Sequence, residues 1–164
     1  MFNKLFSKKT KTIIEEVFSP CNGEVIPLSE VPDAVFAEKM MGDGMAVIPN
    51  SGSFFSPVNG QIVSIFPTKH AIGIRTDNGL EVLIHVGLDT VELDGKGFEL
   101  LVQEQQMVKA GDPLVKVDLE YLENQNKEIV TPVLITNMEK TNQVEFPQYG
   151  NIAVGDSILK CHLS

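Results

Sequence analysis

Two short patterns each occur twice in this chain, and they limit its fold more than any other feature. Ser19-Pro20-Cys21-Asn22-Gly23-Glu24-Val25-Ile26 is matched by Ser56-Pro57-Val58-Asn59-Gly60-Gln61-Ile62-Val63. Further on, Val108-Lys109-Ala110-Gly111-Asp112-Pro113-Leu114-Val115-Lys116 is matched by Ile152-Ala153-Val154-Gly155-Asp156-Ser157-Ile158-Leu159-Lys160. A looser Gly-Asp stands at Gly42-Asp43. Asn-Gly favours a tight hairpin turn, because both central residues of a type I′ turn need positive φ. Turn signals alternating with short β-branched runs predict an all-β, antiparallel β-sandwich or barrel of two related half-motifs, with short helical turns.

Alternation places strands at Gly23–Leu28, Gly44–Pro49, Gly60–Ile65, Ala71–Thr76, Glu81–Val86, Pro113–Val117, Val130–Ile135 and Asp156–His162. Short helices are expected at Asp33–Met40 and Asp118–Gln125, each opening on a capping aspartate. Residues 1–17 lack a core-like pattern and are expected to form a flexible N-terminal tail, leaving 18–164 as one domain. In that tail Phe2, Leu5 and Phe6 would share a helix face beside Lys4, Lys8, Lys9 and Lys11, an arrangement suited to weak contact with an anionic membrane surface.

Composition narrows the partners. A net charge of −9 opposes nucleic acid, whose phosphates need a basic face, and favours a basic protein partner. No apolar run approaches the roughly 18 residues that span a bilayer, and the N-terminus does not read as a secretory signal. Cys21 and Cys161 are expected to be reduced thiols in a cytoplasmic protein.

The chemistry points to histidine. His85 stands near the end of an apolar strand, Leu83-Ile84-His85-Val86-Gly87-Leu88-Asp89. His70 precedes it by fifteen residues, following Phe66-Pro67-Thr68-Lys69; the third histidine, His162, is near the C-terminus. A satisfied core histidine and a functional one both fit such a strand. Gly87 and the loop after it favour the second, since they put His85 where another backbone can approach. An imidazole titrating near neutrality offers a nucleophilic nitrogen. Zinc catalysis would need a third ligand, and no His-Glu-x-x-His or His-x-His is present. A serine nucleophile elbow and a P-loop are likewise missing. Val35, Phe36, Met41, Phe66 and Leu83 lie in segments adjoining the two histidine strands or in and beside the first short helix, and an apolar patch rimmed by Asp33 and Asp89 would suit protein docking.

Val31-Pro32-Asp33-Ala34-Val35-Phe36-Ala37-Glu38-Lys39, Gly42-Asp43-Gly44, Pro67-Thr68-Lys69-His70-Ala71, Leu83 to Val91 and Val108-Lys109-Ala110-Gly111-Asp112 together resemble the glucose-type IIA proteins of the bacterial sugar phosphotransferase system. The likeness runs from about Phe18 to about Lys160. It implies a free-standing phosphocarrier. His85 would accept a phosphoryl group on Nε2 from the phosphorylated carrier protein HPr and pass it to a cysteine of a sugar-specific IIB domain. His70 would steady the phosphoryl oxygens and Thr68 would orient His70. Val35, Phe36, Met41, Phe66, Leu83 and Val91 would form the docking surface, with Asp33 and Asp89 on its rim. No metal is required, although His70 and His85 would make half of a zinc site that a partner's carboxylate completes. Regulatory docking on transporters or kinases in the unphosphorylated form is the alternative output. Some relatives carry phenylalanine at the position of Leu83 and within Ile72-Gly73, so this patch is less aromatic, which bears on partner preference; with no attached permease or IIB domain, the sugar is unassigned.

Overall fold

The computed structural model describes residues 12–164. Fourteen strands are described: β1 Ile13–Phe18, β2 Gly23–Pro27, β3 Asp43–Pro49, β4 Ser53–Phe55, β5 Gly60–Ile65, β6 Ala71–Arg75, β7 Glu81–His85, β8 Phe98–Leu100, β9 Met107–Val108, β10 Pro113–Val117, β11 Thr131–Ile135, β12 Thr141–Glu145, β13 Gly150–Ile152 and β14 Ser157–Leu163. Two short helices, α1 Ala34–Ala37 and α2 Leu119–Asn124, each carry the expected aspartate cap, Asp33 and Asp118.

Among the described residues the strands form an eight-stranded sheet in the order β9-β5-β6-β7-β11-β3-β2-β13, flanked by two three-stranded sheets, β4-β10-β8 and β12-β14-β1. All pairings are antiparallel. The large sheet reads the same from either end once the two repeats are overlaid. β5 corresponds to β2, β6 to β3 and β7 to β11, with the centre between β7 and β11. The halves therefore pack as a sandwich of two related motifs, not as a closed barrel.

The repeated residues explain the internal symmetry. Asn22 Oδ1 accepts from the Val154 N–H and Asn59 Oδ1 from the Ala110 N–H, both at 2.8 Å. Ser19 Oγ donates to the Cys21 carbonyl and Ser56 Oγ to the Val58 carbonyl, both at 2.7 Å. Asp156 and Asp112 each close their own Gly-Asp turn by accepting from Ala153 and Lys109 N–H. Each Ser-Pro-x-Asn-Gly segment is thus latched to one Gly-Asp turn, and the two patterns form one device used twice.

The expected type I′ hairpins at Asn-Gly are not formed. Neither asparagine nor Gly23 or Gly60 has positive φ. Glycine is needed there for space: a Cβ on Gly23 would lie 2.0 Å from the Ile48 carbonyl oxygen, and one on Gly60 2.3 Å from that of Arg75. A second correction concerns the N-terminus. Ile13–Phe18 is no tail but β1, paired along its length with β14, and Val17 is fully buried. The expectation of a membrane-contacting tail rests on residues 2–11, outside the described ones.

Apolar side chains on one face of the large sheet join the flanking sheets in the main core, which includes Phe54, Met45, Ile62, Ile74, Ile84, Leu114 and Leu159. The other face holds a smaller cluster, in which Ala46, Ala71, Leu83 and Leu134 pack under Leu28, Val31 and Phe36. At four residues α1 is far too short to hold itself. Its cap contributes about 1 kcal/mol, whereas burying Phe36 is worth roughly 2–3 kcal/mol, so packing fixes the helix. Both cysteines are free and buried, and burial pushes each thiol up to about 12. They remain protonated and unreactive. No described helix is long and apolar enough to cross a membrane.

Candidate functional site

The two histidines meet at one end of the β6–β7 pair. Ala71 stands opposite His85 in the ladder, and the Val86 N–H adds one more rung to the His70 carbonyl at 2.7 Å. His70 enters from a tight loop closed by Phe66 N–H to the Ala71 carbonyl, with Lys69 in the left-handed region at φ 67°. On the other strand Gly87, at φ 76°, ends the extended run directly after Val86. Asp89, at φ 56°, then leads into a 3-10 turn over Thr90–Leu93. Both rings are therefore carried on strand ends whose exits are sharply bent.

The ring centroids lie 4.7 Å apart, edge to face. His85 Nδ1 is 2.8 Å from the Gly87 carbonyl oxygen. A carbonyl can only accept, so Nδ1 carries the proton and Nε2 keeps its lone pair. His70 Nδ1 is 2.8 Å from Thr68 Oγ1. The hydroxyl can donate to that nitrogen, which leaves Nε2–H of His70 as a donor. One imidazole then presents a nucleophile and its neighbour a hydrogen-bond donor.

Electrostatics keep both rings neutral. Burial, and then the neighbouring His85, push His70 down to about 4, against a smaller opposing effect of the Thr68 backbone. His85 is also lowered, by burial; the Gly87 carbonyl, Asp33 and Asp89 offset part of this. The side chains that surround the rings are aromatic as well as acidic: Phe36 stands 4.9 Å from His85 and Phe66 5.4 Å from His70, centroid to centroid.

A hollow of about 180 Å³ opens beside His85, lined by Asp33, Val35, Phe36, Met41, His85, Asp89 and Val91. Seven of the eight residues expected on a docking surface or its rim therefore surround the histidines, if Phe66 is counted beside His70. Their exposure divides them. Val91 is 54% exposed and Phe66 37%, with Val35 and Met41 similar. Phe36 and Leu83 are only 4% and 6% exposed, which corrects their expected place on the surface. Leu83 lies within the small cluster, and Phe36 forms the floor of the hollow. Met40, 68% exposed, adds an apolar side chain to the same region of the chain.

Zinc needs three or four protein ligands. His70 and His85 supply two, and among the described residues no three histidine, cysteine or acidic side chains stand together as a metal cluster. A zinc ion at this place would need further ligands beyond these two histidines. Sequence reasoning missed the residues that hold the loop behind His85. Thr90 Oγ1 donates to the Val86 carbonyl at 2.6 Å, and the Glu128 carbonyl accepts from Leu88 N–H at 3.0 Å. Thr90 is five residues from His85, yet its burial has no signal in the sequence, and a backbone carbonyl leaves none at all.

A family model described as the phosphoenolpyruvate-dependent sugar phosphotransferase system, EIIA 1, matches residues 15–141. Two strains of Staphylococcus epidermidis have a protein named "PTS system glucose-specific EIIA component" that is 44% identical over 158 residues, covering 96% of this chain and 95% of the relative. Among solved structures, glucose permease IIA from Mycoplasma capricolum superposes with a TM-score of 0.86 at 45% identity, over 90% of this chain and 96% of the other. With the family model covering most of the chain and these relatives nearly all of it, this protein belongs to the EIIA type 1 family of the phosphoenolpyruvate-dependent sugar phosphotransferase system.

Proposed function

We propose that this protein is the phosphocarrier of a glucose-type uptake system, accepting a phosphoryl group from phospho-HPr on Nε2 of His85 and giving it to a cysteine of a IIB domain. The observation that carries the reading is the bond from His85 Nδ1 to the Gly87 carbonyl, which leaves Nε2 as the nucleophile. The glucose assignment comes from the names of its relatives. The relay belongs in the cytoplasm, where phosphoenolpyruvate supplies it.

Transfer between two imidazoles is governed by positioning and by stabilising charge on the equatorial oxygens. As the phosphorus–nitrogen bond of the donor histidine breaks, a new bond forms to His85 Nε2, and the Nδ1–H bond to Gly87 disperses the positive charge that develops on the ring. Nε2–H of His70 donates to a phosphoryl oxygen, and Thr68 holds that tautomer. The exposed Val35, Met41, Phe66 and Val91 seal against the partner and exclude water from the labile phosphohistidine. Asp33 and Asp89 guide a basic face on the donor. No step requires a metal. Incubation with phospho-HPr should produce an acid-labile, base-stable label that His85→Ala abolishes. Undiminished labelling of that variant would overturn the assignment.

A further inference from the structure

We propose that Thr90 is a positioning residue for phosphoryl transfer, acting through the Val86-Gly87-Leu88 backbone to hold the proton of His85 on Nδ1. The inference rests on the reading of His85 as the phosphoryl acceptor.

Two consecutive peptide planes lie behind the His85 ring. The second plane contains the Gly87 carbonyl and the Leu88 N–H. Its carbonyl accepts from His85 Nδ1 at 2.8 Å, and its N–H donates to the Glu128 carbonyl at 3.0 Å. The first plane contains the Val86 carbonyl and the Gly87 N–H, and Thr90 Oγ1 donates to that carbonyl at 2.6 Å. The Thr90 methyl wedges the joint between the planes: a Cβ on Gly87 would lie 2.6 Å from Thr90 Cγ2 and 2.9 Å from the Glu128 oxygen. Thr90 is fully buried. An ion pair between Lys127 and Glu92 ties the same two segments together further out.

The Thr90 side chain bonds the first plane and packs beside the Gly87 Cα that joins it to the second. An unconstrained neutral imidazole carries its proton on either nitrogen, and a proton on Nε2 would occupy the lone pair that must attack phosphorus. Rotation of the Gly87 carbonyl by a few tens of degrees removes the acceptor that selects Nδ1–H. The hydroxyl and methyl of Thr90 oppose that rotation from two directions, so the residue governs the reactive tautomer without touching the phosphoryl group.

The test compares Thr90→Val and Thr90→Ser with wild type in the full-length chain. Imidazole ¹⁵N chemical shifts report the His85 tautomer in the unphosphorylated protein, and transient kinetics with phospho-HPr separate the rate of transfer from the affinity of docking. Thr90→Val keeps the methyl wedge and loses the donor. It should raise the Nε2–H fraction of His85 and slow transfer at least about tenfold, with docking affinity unchanged. Thr90→Ser keeps the donor and should restore most of the rate. Circular dichroism sets a temperature at which all three are folded. Should Thr90→Val fold too poorly for kinetics, the tautomer of Thr90→Ser decides: its Nδ1–H form must match wild type. A wild-type tautomer and rate in Thr90→Val would overturn the proposal, as would equal impairment of both variants. Wild-type protein that takes no label would defeat the phosphocarrier reading separately, since the tautomer measurement needs no donor.

Discussion

His70 and His85 meet edge to face with their centroids 4.7 Å apart, yet each has its Nδ1 committed to a different group, a hydroxyl on one side and a backbone carbonyl on the other. Two rings this close cannot both be protonated without repulsion, and both are partly or wholly withdrawn from water. Their titration should show it. In a ¹H–¹⁵N titration His70 should turn over near about 4, and His85 below the usual 6.5. A midpoint at or above 6.5 for His85 would mean that the ring is substantially cationic in the cell and a poor nucleophile.

The same shift makes a stability prediction. An unfolded His70 binds its proton below about 6.5, whereas the folded one does so only near about 4. Between those values the unfolded chain holds more protons, so stability falls as pH drops through the window and is not recovered below it. From pH 7 to pH 5 this residue accounts for a loss of about 2 kcal/mol. Carboxylates contribute to acid sensitivity too, so the measurement is a difference. Chemical denaturation of wild type and His70→Gln at both pH values should give a smaller pH-induced loss in the variant. Equal losses would show that His70 titrates normally.

How much of this could be read from sequence follows from the range of each interaction. The Ser-Pro-x-Asn-Gly and Gly-Asp repeats announced a duplicated β fold, because each is a local device; what they could not announce was that the two latch to one another across 51 and 132 positions. Asn-Gly was expected to make a hairpin and instead supplies a side-chain acceptor and a place with no room for a Cβ. β1 was hidden by Glu15 and Glu16, which interrupt any apolar alternation; it is a strand because β14 pairs with it. The histidines stood out through rarity and spacing, and the resemblance then gave their roles. Leu83 stands two residues from His85 and Phe36 lies in a turn-like stretch, and the resemblance put both on the docking surface, but neither observation says on which side of a sheet or helix a side chain lies. Thr90 and the Glu128 carbonyl act through tertiary contact and were not legible.

The division of the apolar residues into floor and rim can be separated by mutation. Phe36 is buried against the small cluster and His85, so Phe36→Ala should cost about 3–4 kcal/mol of stability through the cavity it leaves. Phe66 is exposed at the rim, and Phe66→Ala should change stability by less than about 1 kcal/mol while weakening docking of phospho-HPr several-fold. Denaturation midpoints and titration calorimetry on both variants would distinguish them. A large stability loss in Phe66→Ala, or none in Phe36→Ala, would reverse the assignment of floor and rim.

Gly87 joins fold and chemistry most directly, and a matched control is built into the chain. Gly87 and Gly111 both have positive φ, 76° and 94°, so alanine at either pays for a left-handed backbone, roughly 1–2 kcal/mol. Their surroundings differ. A Cβ on Gly111 meets nothing within 4 Å, whereas one on Gly87 meets Thr90 Cγ2 at 2.6 Å and the Glu128 backbone oxygen at 2.9 Å. The backbone oxygen cannot give way cheaply, because it also receives the Leu88 N–H. Gly87→Ala should therefore lose about 1–3 kcal/mol more than Gly111→Ala. The displaced Gly87 carbonyl should also reduce the Nδ1–H population of His85, and with it the rate of labelling by phospho-HPr; Gly111→Ala should label as wild type does. Thermal unfolding and labelling kinetics of the pair check both claims. If the two alanine variants proved equally stable and equally active, the Gly87 carbonyl would not be what holds His85 ready for attack.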